Sequence, residues 1–174
     1  MKKMDFINTF EEHKQNPEIS VDKYIRERCM QLGNFVLSHK IVYLDTKFWI
    51  IIRDVSLGRN TKQADKDLYK KIMELAESKK CIFPISQDTF LEVLKQQDKE
   101  TLKETARLID FLSKGVSLIN RKERIEVEIS HFLYEFSGLE IYKRKEMVWT
   151  KLTYTMGFTT PRNDLIDKKL DQVI

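Results

Sequence analysis

Residues 41–50 read IVYLDTKFWI, and the position of the aspartate in this run decides the fold. Four apolar residues are too few for a helix and suit a buried strand. A second apolar run follows after Thr46 and Lys47. An ionised carboxylate is costly to bury unless it is paired, hydrogen-bonded or bound to a metal. Asp45 therefore belongs at a strand end, where a helix over TKFWIIIRDVSLG starts and then stops near Gly58. The same unit recurs downstream. TKQADKDLYKKIMELAESKK (61–80) is an amphipathic helix with Leu68, Ile72, Leu75 and Ala76 on one face. CIFPIS (81–86) is a second strand, which Pro84 assigns to an edge or to its own end. Ser86 is a suitable N-cap for QDTFLEVLKQQ. KETARLIDFLSK is a further helix, closed by Gly115, and VSLIN (116–120) a third strand.

The remaining segments read as helices. Residues 4–15 and 21–36 precede the first strand, with Val21, Ile25, Cys29 and Leu32 near one face of the second. RKERIEVEISHFLYEF ends at Gly138, LEIYKRKEMVWTKLTYTM ends at Gly157, and 158–174 begin one more. Strands alternating with helices mean an α/β fold, helix-rich, whose small parallel sheet is built from right-handed crossovers and flanked by helices. The chain divides into an N-terminal helical extension (1–38), an α/β domain (39–160) and a C-terminal tail (161–174).

With 174 residues, 41% apolar and 33% charged, the composition is that of a soluble globular domain rather than a disordered chain. The net charge of +4 permits an anionic partner without requiring one. RKER at 121–124 and KRK at 143–145 read as solvated helix faces. No apolar stretch approaches the ~20 residues of a membrane span. The N-terminus lacks the apolar core of a signal peptide. Cys29 and Cys81 form no CxxC and have apolar flanks, which fits free thiols in a cytoplasmic protein. Phe48, Trp49, Trp149 and Tyr154 read as core. His13, His39 and His131 lack zinc-ligand spacing, and no glycine-rich phosphate loop or GxSxG elbow is present.

In a parallel sheet the C-terminal strand ends share one edge, and ligands bind in the crevice outside it. Asp45 ends the first strand, and Ser86 ends the second. Glu92, set among apolar residues on the following helix, is a second acid near that crevice. Two neighbouring carboxylates repel unless a cation lies between them. Oxygen ligands of this kind suit Mg²⁺ or Mn²⁺, whose work at such sites is phosphoryl chemistry.

VYLDTKFWI, followed some forty residues later by CIFPISQDTFLEVLK, resembles the start of a PIN domain, and the likeness covers roughly residues 40–135. The resemblance implies a PIN-like metal-dependent nuclease of single-stranded RNA using Mg²⁺ or Mn²⁺. Asp45 and Glu92 match its metal-binding acids, and Thr46 matches the hydroxyl beside the first. Many members are toxins of toxin–antitoxin pairs, so an antitoxin or other protein partner is implied as well. The family's third acid usually opens a later helix in an Asp-Ala pattern, which is absent here. Glu128 and Asp164 are the candidates for it. Lys47 and Arg53 are the candidates to hold the scissile phosphate. The alternative is a catalytically incomplete PIN-like module that binds nucleic acid or a protein. The small number of strands raises the further expectation that this is the front part of a longer protein supplying the third acid.

Overall fold

A computed structural model describes residues 14–138 and 144–155. Among these, α1 spans Val21–Leu37, β1 Lys40–Ile41, α2 Thr46–Ser56, α3 Gln63–Glu77, β2 Cys81–Ile82 and α4 Gln87–Leu94. They are followed by α5 Lys99–Ser113, β3 Val116–Leu118, α6 Arg121–Ser137, α7 Arg144–Met147, β4 Trp149–Lys151 and α8 Leu152–Thr155. Most of the expected helix over 4–15 and all of the tail over 158–174 lie outside the described residues. No described helix is long and apolar enough to cross a membrane.

Most of the long helices start where a short polar side chain satisfies an orphan backbone N–H. Ser20, Asp45, Ser86 and Asp98 each cap a helix in this way. Asn120 and Glu123 form a reciprocal capping box at the head of α6. α5 ends on Lys114 and Gly115, both with positive φ (52° and 74°), a turn that glycine makes without steric cost.

β1 and β2 pair in parallel, with Lys40 opposite Cys81 and Ile41 opposite Ile82. The Val42 N–H extends the pairing to the Ile82 carbonyl at 3.0 Å. Ile85 then bridges Ser117 in parallel, and β3 pairs antiparallel with β4. The regular strands thus form two two-stranded sheets, β1-β2 and β3-β4, which the Ile85–Ser117 bridge joins in the spatial order β1-β2-β3-β4. The regular strands are shorter than the sequence implies, although 40–45, 81–86 and 116–118 all run in one direction. Of the two expectations for the 81–86 segment, a strand end near Pro84 holds, since β2 stops at Ile82, and an edge position does not. The segment lies between two neighbours, and Pro84, which lacks an N–H, separates its pairing with β1 from its pairing with β3.

The C-terminal part differs from expectation more. The single helix read over 139–156 does not form across its described portion, where β4 lies between two helices of one turn each. The open edge of β3 supplies the reason. The Leu152 N–H bonds the Gly115 carbonyl at 2.8 Å, and the Ile119 N–H bonds Val148 at 3.1 Å. This pairing buries Trp149 against Val36, Ile82 and Val116, and its indole N–H donates to the Lys145 carbonyl at 2.8 Å. The gain from ladder and burial exceeds the weak helix propensity of Val-Trp-Thr.

Two apolar clusters cover the two sheet faces. Cys81, Phe83 and Ile85 point to the face carrying α2–α5, where Trp49, Ile52, Ile72, Leu108 and Leu112 complete the larger cluster. Ile82 points the other way, toward α1 and Trp149. This is the period-2 alternation of a strand buried on both sides. Cys29 is half-buried and Cys81 buried, both as free thiols. Of the other aromatics expected in the core, Trp49 and Trp149 are buried, whereas Phe48 and Tyr154 are exposed. On the α1 side, Gly33 lets the helix approach the backbone of Glu146. A Cβ at this position would lie 2.3 Å from the Glu146 carbonyl oxygen. α6 buries no side chain and presents Ile125, Ile129, Phe132, Leu133 and Phe136 on one exposed stripe.

Candidate functional site

The site is assembled from the segment that follows β1 and from α4. Leu44 turns into the core, so the alternating positions Tyr43 and Asp45 share the opposite face. Asp45 has extended backbone (φ −66°, ψ 155°) and caps α2, its Oδ1 accepting the Thr46 N–H at 2.8 Å. Burial of Trp49 and Ile52 fixes the direction of α2. α4 is held in the same manner. Ser86 caps it through the Thr89 N–H at 3.2 Å, and Phe90 and Val93 are buried. Glu92 is left facing solvent.

Two ties join these segments. The Tyr43 hydroxyl lies 2.9 Å from both Ser86 Oγ and Thr89 Oγ1. The Thr46 hydroxyl donates to Glu92 Oε2. Residues three apart share a helix face, so Thr89 and Glu92 present one side of α4 to the chain at 43–46. The hydroxyl cluster at Tyr43 anchors the first turn of α4, and that anchor sets where Glu92 points. Asp45 precedes Thr46 and accepts its amide, so the Thr46–Glu92 bond ties the helix that Asp45 caps to the helix that bears Glu92, at the C-terminal edge of the sheet.

Each carboxylate has one oxygen engaged, Asp45 Oδ1 by an amide and Glu92 Oε2 by a hydroxyl. The second oxygen of each remains as a hard donor on an exposed residue. Free carboxylate oxygens are the hard donors that Mg²⁺ takes while keeping several of its waters. Among the described residues no group of three or more His, Cys, Asp or Glu is placed to hold a metal.

Glu128 is exposed on α6, eight residues beyond Asn120, or about 12 Å along the axis. Its i+3 neighbour His131 faces Glu135 at 3.8 Å. Asp164 lies outside the described residues. Lys47 is exposed in the first turn of α2, beside Thr46. Arg53 is two turns further along. Its Nε and Nη2 both bond Asp54 Oδ1, at 2.9 and 2.7 Å, so its guanidinium is engaged within the chain.

Sequence reading missed Tyr43, Ser86 and Thr89 as a cluster. The available signal was the period-2 relation that puts Tyr43 on the same face as Asp45. Compared with protein-family models, curated proteins and solved structures, the chain has no significant match.

Proposed function

We propose that this chain is a PIN-like, metal-dependent ribonuclease acting on single-stranded RNA. The observation that carries the reading is the Thr46–Glu92 hydrogen bond, which joins the helix following Asp45 to the helix bearing the second acid. Asp45 and Glu92 would hold Mg²⁺ or Mn²⁺ through their unengaged oxygens. The bound cation would activate a water and offset charge on the phosphodiester. Thr46 orients Glu92 by its hydroxyl and Asp45 by its amide, so both acids are set before substrate arrives. Lys47, one residue on, is a mobile point charge suited to a nearby phosphate.

Two carboxylates hold Mg²⁺ loosely, because the ion dehydrates reluctantly and leans on substrate oxygens. Mn²⁺ titration by calorimetry is therefore expected to show weak binding that strengthens with RNA. Cleavage of a labelled single-stranded RNA should be slow, dependent on Mn²⁺ and abolished in Glu92→Gln. Cleavage that persists in Glu92→Gln would refute the reading. A second reading, a catalytically incomplete module that binds nucleic acid or a protein, is favoured by the absence, among the described residues, of any group of three or more His, Cys, Asp or Glu placed to hold a metal. RNA binding without cleavage at saturating Mn²⁺ would select it.

A further inference from the structure

The edge opposite the acids is lined with lysines. β1 begins at Lys40, and the Lys40 N–H bonds the Lys80 carbonyl at 2.7 Å. Lys79 and Lys80 form the turn that enters β2. Lys114 forms the turn that enters β3, and Lys151 ends β4 opposite Val116. Because three strand segments run parallel and the fourth runs against them, the topology brings all five lysines to one edge. Three strand-to-strand gaps of ~4.8 Å make that edge about 14 Å wide. Among the described residues, Lys40, Lys79, Lys80 and Lys114 have no carboxylate oxygen within 4.0 Å. Glu77 and Asp110, the acids closest in sequence, are exposed on the last turns of α3 and α5. Lys79 and Lys114 both adopt left-handed backbone, with φ of 58° and 52°. Partial burial and the adjacent Lys79 ammonium hold Lys114 below the ordinary lysine value, against a smaller opposing influence of Cys81. An anion placed between these two ammoniums would remove their repulsion.

We infer that this lysine-lined edge is a second binding surface, for the phosphate backbone of single-stranded RNA. Ammoniums on flexible stems suit contact with successive phosphates without base readout. The edge is wide enough to lie along a few successive phosphates of one strand. Lys40 precedes Asp45 by five residues, about 17 Å at ~3.3 Å each, so these lysines cannot reach a scissile phosphate at the acid edge. They would hold a distant part of the same strand. The inference rests on the RNA reading above but not on cleavage.

The test is fluorescence anisotropy with a labelled 20-nucleotide oligo-U RNA in EDTA, over a range of KCl concentrations. Wild type, Lys79→Gln/Lys114→Gln and Lys79→Arg/Lys114→Arg are compared after melting curves show that each is folded. Loss of two phosphate contacts should make the slope of log affinity against log salt shallower by about 1.4, and weaken binding at 50 mM salt by at least ~10-fold. The arginine pair should restore binding. Unchanged slope and affinity in the glutamine pair overturn the inference. So does loss of binding to anionic phosphatidylserine vesicles with RNA binding intact, which would assign the edge to a membrane surface. If wild type cleaves nothing yet the glutamine pair loses binding, the nuclease reading fails and this inference stands.

Discussion

Asp45 has two reasons to be where it is, and Asp45→Asn separates them. As a helix cap it accepts the Thr46 N–H, the first amide of α2, at 2.8 Å. Its charge also faces the positive end of an eleven-residue helix. Asparagine keeps a carbonyl oxygen in nearly the same place and caps as well as aspartate, so the capping share is retained. Only the charge–dipole share is lost, roughly 0.3–1 kcal/mol at an exposed site. Alanine loses both, about 0.5–2 kcal/mol for the cap together with the charge. At about 2–4 °C per kcal/mol for a chain of this size, Asp45→Asn should lower Tm by roughly 0.6–4 °C and Asp45→Ala by more.

Activity should follow the opposite logic. Either substitution removes a cation ligand, so both should lower Mn²⁺-dependent cleavage by at least ~100-fold, beyond the 10–100-fold usual for residues that only support a ligand. Scanning calorimetry and a gel-based cleavage assay on the same preparations give both numbers. If Asp45→Asn cleaves at the wild-type rate while Asp45→Ala loses stability, Asp45 is a cap and the nuclease argument collapses.

Thr46→Val keeps the shape of the side chain but leaves Glu92 unheld. Cleavage should fall about 10–100-fold with Tm nearly unchanged, because water replaces the lost partner of an exposed carboxylate, and Thr46→Ser should retain activity. Gly33→Ala gains about 1 kcal/mol of helix propensity but drives a Cβ into the Glu146 backbone. The clash should win by about 1–3 kcal/mol in urea unfolding, and a stabilised variant would show that α1 and α7 can separate freely. Phe136→Lys, at a side chain left 86% exposed, should alter stability by less than ~0.5 kcal/mol; a larger loss would reveal that something covers the α6 stripe. Glu104 is held below the usual carboxylate range by hydrogen bonds from Arg107 and Ser56, which outweigh partial desolvation. A folded value below the unfolded one means that this stabilisation is present above the unfolded carboxylate pKa and is lost as pH falls through the folded value. Glu104→Gln should therefore flatten the acid limb of a stability-versus-pH curve measured by urea melts.

Helix positions were legible in this sequence because caps and periodicity are local signals. Asp45, Ser86 and Gly115 each marked a boundary within a few residues of where it lies. The same locality made Asp45 and Glu92 visible as candidates, since a strand end and an acid in an apolar helix both break a pattern. The Tyr43 link was not legible. Its partners lie 43 and 46 residues away, and hydroxyl contacts leave no period to read. β4 was hidden for a related reason. Three residues cannot outweigh a charged, helix-like surrounding, and only the open edge of β3 determines what they do. α6 shows a third limit. Its apolar face is plain in the sequence, yet periodicity does not say whether a neighbour covers that face.

The two edges of the sheet differ in charge for a reason that follows from topology. Where strands run parallel through crossover helices, each helix starts at one edge and ends at the other. The N-terminal edge of each helix favours acids, and the C-terminal edge favours cations. Asp45 and Glu123 sit at helix starts, whereas Lys79 and Lys114 follow helix ends. The dipoles alone thus account for part of this polarity, and a single charge at either edge is not by itself a sign of function. What the dipoles do not require is a hydroxyl bridge between two helices. An acid placed only for a helix start has no need of Thr46 reaching Glu92, or of Tyr43 holding the turn from which Glu92 projects. These cross-ties lock a geometry that stability does not demand, since Glu92 is exposed and water would solvate it equally well. For that reason the paired substitutions at Asp45, and the removal of the Thr46 hydroxyl, are the measurements on which the reading of this edge depends.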